Sequence, residues 1–151
     1  VQQGDHNVPT SSSGTATRRA TALLTVLTIV WVFCAGAHAQ QTQIQRGEYL
    51  ARAGDCISCH TAKGGAPYAG GLRMDTPFGF LLAPNITPDP ETGIGTWSAD
   101  DFYRALNDGV NKRDQDMYPV MPYDFFTKVT RADSDAIFAY LKSVPPAPVP
   151  S

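Results

Sequence analysis

Two cysteines and a histidine fall inside five consecutive residues, Cys56-Ile57-Ser58-Cys59-His60. Beyond residue 39 the chain has no other Cys and no other His, since Cys34, His6 and His38 all lie before that point. On a helical turn, positions i and i+3 share a face, so both thiols point to one side and the next residue sets an imidazole beside them. A chain built around this cluster must form a turn that presents three soft ligands together and then cover what they hold.

The spacing is that of the attachment motif for c-type haem. Both thiols reach the two vinyl groups of one porphyrin, and His60 supplies the proximal bond to iron. Three other uses of the same residues fit less well. A thioredoxin-like redox pair wants a βαβ pattern around it, and none is visible. A structural zinc site needs four ligands, which two Cys and one His do not supply. A plain disulfide leaves the adjacent His without a role. The expected cofactor is one covalent haem c. Its second axial ligand has to come from Met74, Met117 or Met121. Met74 follows His60 by only 14 residues, which is short for a return over the other haem face, whereas Met117 and Met121 follow by 57 and 61. Met121 precedes Pro122, whose fixed φ stiffens the loop. Met121 is the preferred ligand and Met117 the alternative, with core filling as the ordinary use of the Met that is left over.

Arg18-Arg19 is followed by a stretch from Ala20 to Ala37 with no charged side chain, and then by Ala37-His38-Ala39 before Gln40. Positive flank, apolar run and small residues at a cleavage point are the parts of an export signal. The competing use is a retained membrane anchor over residues 20–37, short for a bilayer span. The expected organisation is a leader over 1–39 and a single haem domain over 40–151, with a Pro-rich tail over 144–151, in the periplasm or attached to the periplasmic face of the inner membrane. Lys and Arg number 12 against 14 Asp and Glu. That balance argues against a nucleic-acid partner.

With 13 Gly and 12 Pro among 151 residues, much of the chain is expected to be loop. Three short helices are predicted. One covers Ile44 to Ala53, with Ile44, Tyr49, Leu50 and Ala53 as its apolar positions, a close contact at Gly47, and a stop at Gly54. The second follows the capping box Ser98-Ala99-Asp100-Asp101, carries Phe102, Ala105 and Leu106, and stops at Gly109. The third runs from about Ser134 to Ser143, with Ala136, Ile137, Tyr140 and Leu141 on one side, and ends at Pro145-Pro146. Between the first two, residues 61–97 read as loop, with a short strand over Phe78 to Leu82. Asn85-Ile86-Thr87 fits a glycosylation acceptor but is read as a turn. Trp97 and Tyr118 are candidates to wall the haem or bond its propionates.

The chain resembles a class I c-type cytochrome domain. More narrowly, it is similar to the first haem domain of the cytochrome c subunit of membrane-bound bacterial dehydrogenases acting on alcohols, aldehydes or sugar acids. The carrying residues are Arg46-Gly47-Glu48-Tyr49-Leu50-Ala51, Gly54-Asp55-Cys56 through His60-Thr61, Gly70-Gly71-Leu72, Thr76-Pro77-Phe78-Gly79 and Asn85-Ile86-Thr87-Pro88-Asp89. They continue with Thr92-Gly93-Ile94-Gly95, Trp97-Ser98, Tyr118 through Tyr123 and Ala139 through Ser143. The resemblance implies an all-α cytochrome c fold, short helices and long loops wrapped around one covalent haem, with the Met of Met121-Pro122 as axial ligand. It implies a one-electron carrier rather than an enzyme by itself, placed between a dehydrogenase subunit and a terminal oxidase or quinone-linked acceptor. The rival class is a haem enzyme or gas sensor with an open sixth site. Members of that family usually carry three haem motifs in one chain, and this sequence has one; its Pro-rich end resembles the linker to a second haem domain.

Overall fold

In the computed structural model, which describes residues 40–149, helix α1 covers residues 40–53. The leader expected over 1–39 lies outside the described residues. α1 ends where the Gly54 N–H donates to the Leu50 carbonyl at 2.8 Å. Of its expected apolar positions Leu50 packs on the core, but Tyr49 does not. Tyr49 is 70% exposed, while Ala51 and Gly47 are buried and Ile44 half-buried. The reason lies at Gly47, where an added Cβ would sit 1.9 Å from the Ala136 carbonyl oxygen. The closest approach to the last helix is made by the smallest residue, and this rotates Tyr49 outward.

A four-residue helix α2, Cys56–Cys59, follows Asp55, which adopts the left-handed conformation. The expected strand is there but begins at Gly79, and it has a partner. β1 (Arg73–Thr76) pairs antiparallel with β2 (Gly79–Leu82), with Arg73 opposite Leu82 and Thr76 opposite Gly79. Thr76 Oγ1 closes the turn by donating to the Gly79 carbonyl and accepting from the Phe78 N–H. The expectation of an all-α fold is corrected to helices plus a small two-stranded sheet. Period-two alternation over Arg73-Met74-Asp75-Thr76 favours the strand.

Helix α3 (Ala99–Asn107) opens on the anticipated capping box, with Ser98 Oγ accepting from the Asp101 N–H and the Asp101 carboxylate accepting from the Ser98 N–H. Phe102, Ala105 and Leu106 are buried. Gly109, at φ +69, provides the left-handed exit. A short helix α4 (Tyr123–Phe126) was not anticipated. α5 (Arg131–Ser143) starts three residues earlier than expected, because Thr130 Oγ1 accepts from the Asp133 N–H and caps it.

The core consists of Ala51, Tyr68, Ile94, Phe102, Leu106, Ile137 and Leu141. Arg131 bridges α3 and α5 through Asp100 and Asp135, and Arg46 joins α1 to α5 through Asp133. Among the described residues no helix is long and apolar enough to cross a membrane.

Candidate functional site

The described elements enclose a cavity of about 880 Å³, within the range of sites that hold a cofactor. Its wall takes Leu50 from α1, Cys56 from α2, Trp97 from the loop before α3, Phe102 from α3 and Ile137 from α5. His60, Met117 and Met121 reach it from the connecting segments.

His60 follows α2 directly, its N–H bonded to the Cys56 carbonyl at 3.0 Å. Its Nδ1 lies 2.8 Å from the Pro84 carbonyl oxygen. A carbonyl only accepts, so Nδ1 carries the proton and donates, which leaves the Nε2 lone pair available. Burial holds the imidazole below its usual pKa, with the Pro84 bond opposing. A neutral ring with one nitrogen fixed and the other free is the state in which histidine binds a metal. Cys56 is half-buried and its thiol is pushed up to about 11, chiefly by burial. A reactive redox cysteine has its thiol pushed down instead. This environment therefore disfavours a thioredoxin-like use. Cys59, one helical turn on, is exposed and not part of the cavity wall.

Both candidate thioethers are present. Met121 is half-buried and packs on the core, and Met117 lines the same cavity while its N–H donates to the Gly109 carbonyl at 2.7 Å. Met74 sits in β1 opposite Leu81, away from the cavity wall. Trp97 lines the cavity, whereas Tyr118 is exposed and does not.

The loop 83–97 forms one wall and is held by buried polar groups. Asn85, only 2% exposed, donates from Nδ2 to Thr92 Oγ1 at 3.0 Å and to the Ala147 carbonyl at 2.7 Å. Its Oδ1 accepts from the Thr87 N–H and Oγ1. The glycosylation pattern at Asn85 is thus taken up as a buried turn, as preferred. The Asp89 carboxylate accepts from the Glu91 N–H and from the Thr92 N–H and Oγ1. The Ala147 N–H returns to Thr87 Oγ1 at 3.2 Å, so the Pro-rich tail is fastened to the cavity wall. Sequence reasoning missed this fastening, and it missed Lys112 and Arg113, which line the cavity from the turn after α3. A polar run such as Asn111-Lys112-Arg113-Asp114-Gln115 carries no periodicity that would reveal its direction.

The residues present fit an iron porphyrin. A large, mainly apolar cavity gathers a thiol, a neutral imidazole with a free Nε2 and two thioethers. Residues 44–145 match the protein family described as Cytochrome c. The chain is 49% identical over 113 residues to the gluconate 2-dehydrogenase cytochrome c subunit of Pantoea cypripedii, covering 75% of this chain and 26% of that protein. It is 52% identical over 103 residues to a nicotinate dehydrogenase subunit of Pseudomonas putida, covering 68% and 9%. Against the cytochrome c subunit of the alcohol dehydrogenase (quinone) of Gluconobacter oxydans the identity is 49% over 107 residues, covering 69% and 22%. The chain therefore spans about a quarter or less of the length of these relatives.

Proposed function

The chain belongs to the cytochrome c family, and from that premise we propose that it is an exported one-electron carrier holding one covalent haem c. Cys56 and Cys59 supply the thioether links, and His60 and Met121 the axial ligands. The haem supplies reversible one-electron chemistry at its iron. The protein's part is to keep the ligands in place and the water out. Pro84 fixes the His60 tautomer, and Pro122 stiffens the turn that carries Met121. Trp97, Phe102 and Ile137 supply apolar wall. The observation that carries this reading is the convergence of Cys56, His60 and Met121 on one cavity of about 880 Å³.

The site of action is the periplasm, reached through the export signal over 1–39, with residues 20–37 or a complex as the means of attachment to the inner membrane. The electron donor is a dehydrogenase subunit, a reading supported by the names of the three relatives above. The acceptor is a terminal oxidase or a quinone-linked component. Redox encounters of this kind use small, transient interfaces.

The test is to express the chain with its leader in a host that matures c-type cytochromes and to extract the purified product with acid acetone. The expected result is one haem per chain that stays with the polypeptide. Pigment that washes free, or none, would overturn the covalent site. A reduced protein that binds CO at once would favour an open sixth position.

A further inference from the structure

Arginines of the described residues are engaged by acids almost throughout: Arg46 with Asp133, Arg52 with Glu48, Arg73 with Asp75, Arg104 with Asp114, and Arg131 with Asp100 and Asp135. Arg113 differs. It lines the cavity from an exposed position, and its guanidinium has no hydrogen-bond or ion-pair partner among the described residues.

The backbone beneath it is fixed on several sides. Asn111 Oδ1 accepts from the N–H of Arg113 at 2.8 Å and of Gln115 at 3.1 Å. Asp114 takes the left-handed conformation at φ +58, and its carboxylate is held by Arg104 at 2.7 Å. The neighbouring Lys112 crosses to the Thr96 carbonyl and Oγ1 and ties two cavity walls together. Of the other charged groups on the lining, Asp133 is engaged by Arg46, and Glu91 carries the opposite sign. Arg113 is therefore the cation on this rim whose donors are all available. A haem carries two carboxylates on one edge, and a guanidinium fork is the side chain that meets a carboxylate with two parallel bonds.

We propose that Arg113 receives a haem carboxylate at the cavity rim and, by setting a fixed positive charge beside the cofactor, raises its reduction potential. The inference rests on the haem reading above. A nearby cation disfavours the ferric form, which carries one more positive charge than the ferrous.

The experiment measures the ferrous-to-ferric ratio of the haem-loaded protein at a fixed ambient potential, for the wild type, Arg113→Gln, Arg113→Lys and Lys128→Gln. Lys128 is exposed and does not line the cavity. Removing the charge in Arg113→Gln is expected to lower the ratio by about three- to tenfold, tenfold being 59 mV for one electron. Arg113→Lys keeps the charge and stays within about twofold of wild type, and Lys128→Gln does not move it. A Gln variant within twofold of wild type overturns the inference. So does a Lys variant that falls as far as the Gln variant. If Arg113→Gln is produced without pigment, the Lys variant decides: a ratio within twofold supports the role of charge, and a tenfold loss overturns it. Covalent pigment in the wild type is scored separately, so failure of the haem reading and failure of the Arg113 role give different results.

Discussion

In the proposed haem site two sulfur atoms are candidates for one axial position. Met117 and Met121 both line the cavity, so the choice turns on what holds each. Met121 is followed by Pro122, which lacks a donor and fixes its own φ, whereas Met117 is held by its N–H on Gly109 and leads into an exposed segment. Met121→Ala is expected to abolish the sulfur-to-iron charge-transfer band in the near infrared and to let the reduced protein bind CO at once. Met117→Ala should leave both properties as they are. Spectra of the two purified variants decide, and the opposite pattern would assign the ligand to Met117. The cluster Cys56-Ile57-Ser58-Cys59-His60 was legible in the sequence as a spacing, and the fold brings Cys56 and His60 of it to the cavity. The Pro84 carbonyl was not legible. Every residue has a carbonyl, and this one lies 24 positions from the ring it orients.

At the scale of elements, the contact between α1 and α5 depends on what Gly47 lacks. Replacing a glycine inside an open helix by alanine gains about 1 kcal/mol. Here the new methyl would meet the Ala136 carbonyl at 1.9 Å and the Tyr140 Cβ at 2.9 Å. The backbone oxygen cannot step aside, so the helices must separate. Gly47→Ala is expected to destabilise the haem-loaded protein by about 3 kcal/mol, the upper part of the range for overpacked cores, read from urea unfolding; a neutral or stabilising result would show that the two helices do not meet this closely. The sequence disclosed that Gly47 is a contact point and that Ser98 starts a helix, because both are local rules of glycine cost and capping. It did not disclose that Tyr49 faces outward while Ala51 is buried, since that depends on α5, about ninety positions away. Nor did it disclose the hairpin's first strand, α4, or the fastening of Ala147 to Asn85 and Thr87, all of which rest on partners that a local pattern cannot name. The last of these is open to test. Asn85→Ala removes four side-chain hydrogen bonds and leaves the Thr87 N–H and the Ala147 carbonyl without that partner. A loss of about 2–4 kcal/mol is expected, with proteolysis of the tail after Val144 as an independent readout.

Three carboxylates that favour the ionised form fasten separate parts of the described residues. Hydrogen bonds from Thr92 hold Asp89 below the usual carboxylate range, bonds from Ser98 do the same for Asp101, and Arg46 does so for Asp133. These three acids fasten different parts: the cavity-wall loop, the start of α3, and the junction of α1 with α5. A group whose pKa is lower folded than unfolded adds stability above its unfolded value, about 3.9 for Asp. That stability is lost as pH falls through the folded value. The melting temperature of the haem-loaded protein should therefore be flat with respect to these acids between about pH 5 and 7 and decline below about pH 4. Asp89→Asn separates this effect from protonation elsewhere. The amide still accepts from the Thr92 and Glu91 donors but without charge, so the variant should melt below wild type at pH 6. The gap should then close as the solution is acidified past the point where Asp89 itself takes up a proton. A gap of constant size from pH 6 to pH 2.5 would mean that the charge on Asp89 contributes nothing, and that the loop depends on the shape of the side chain alone.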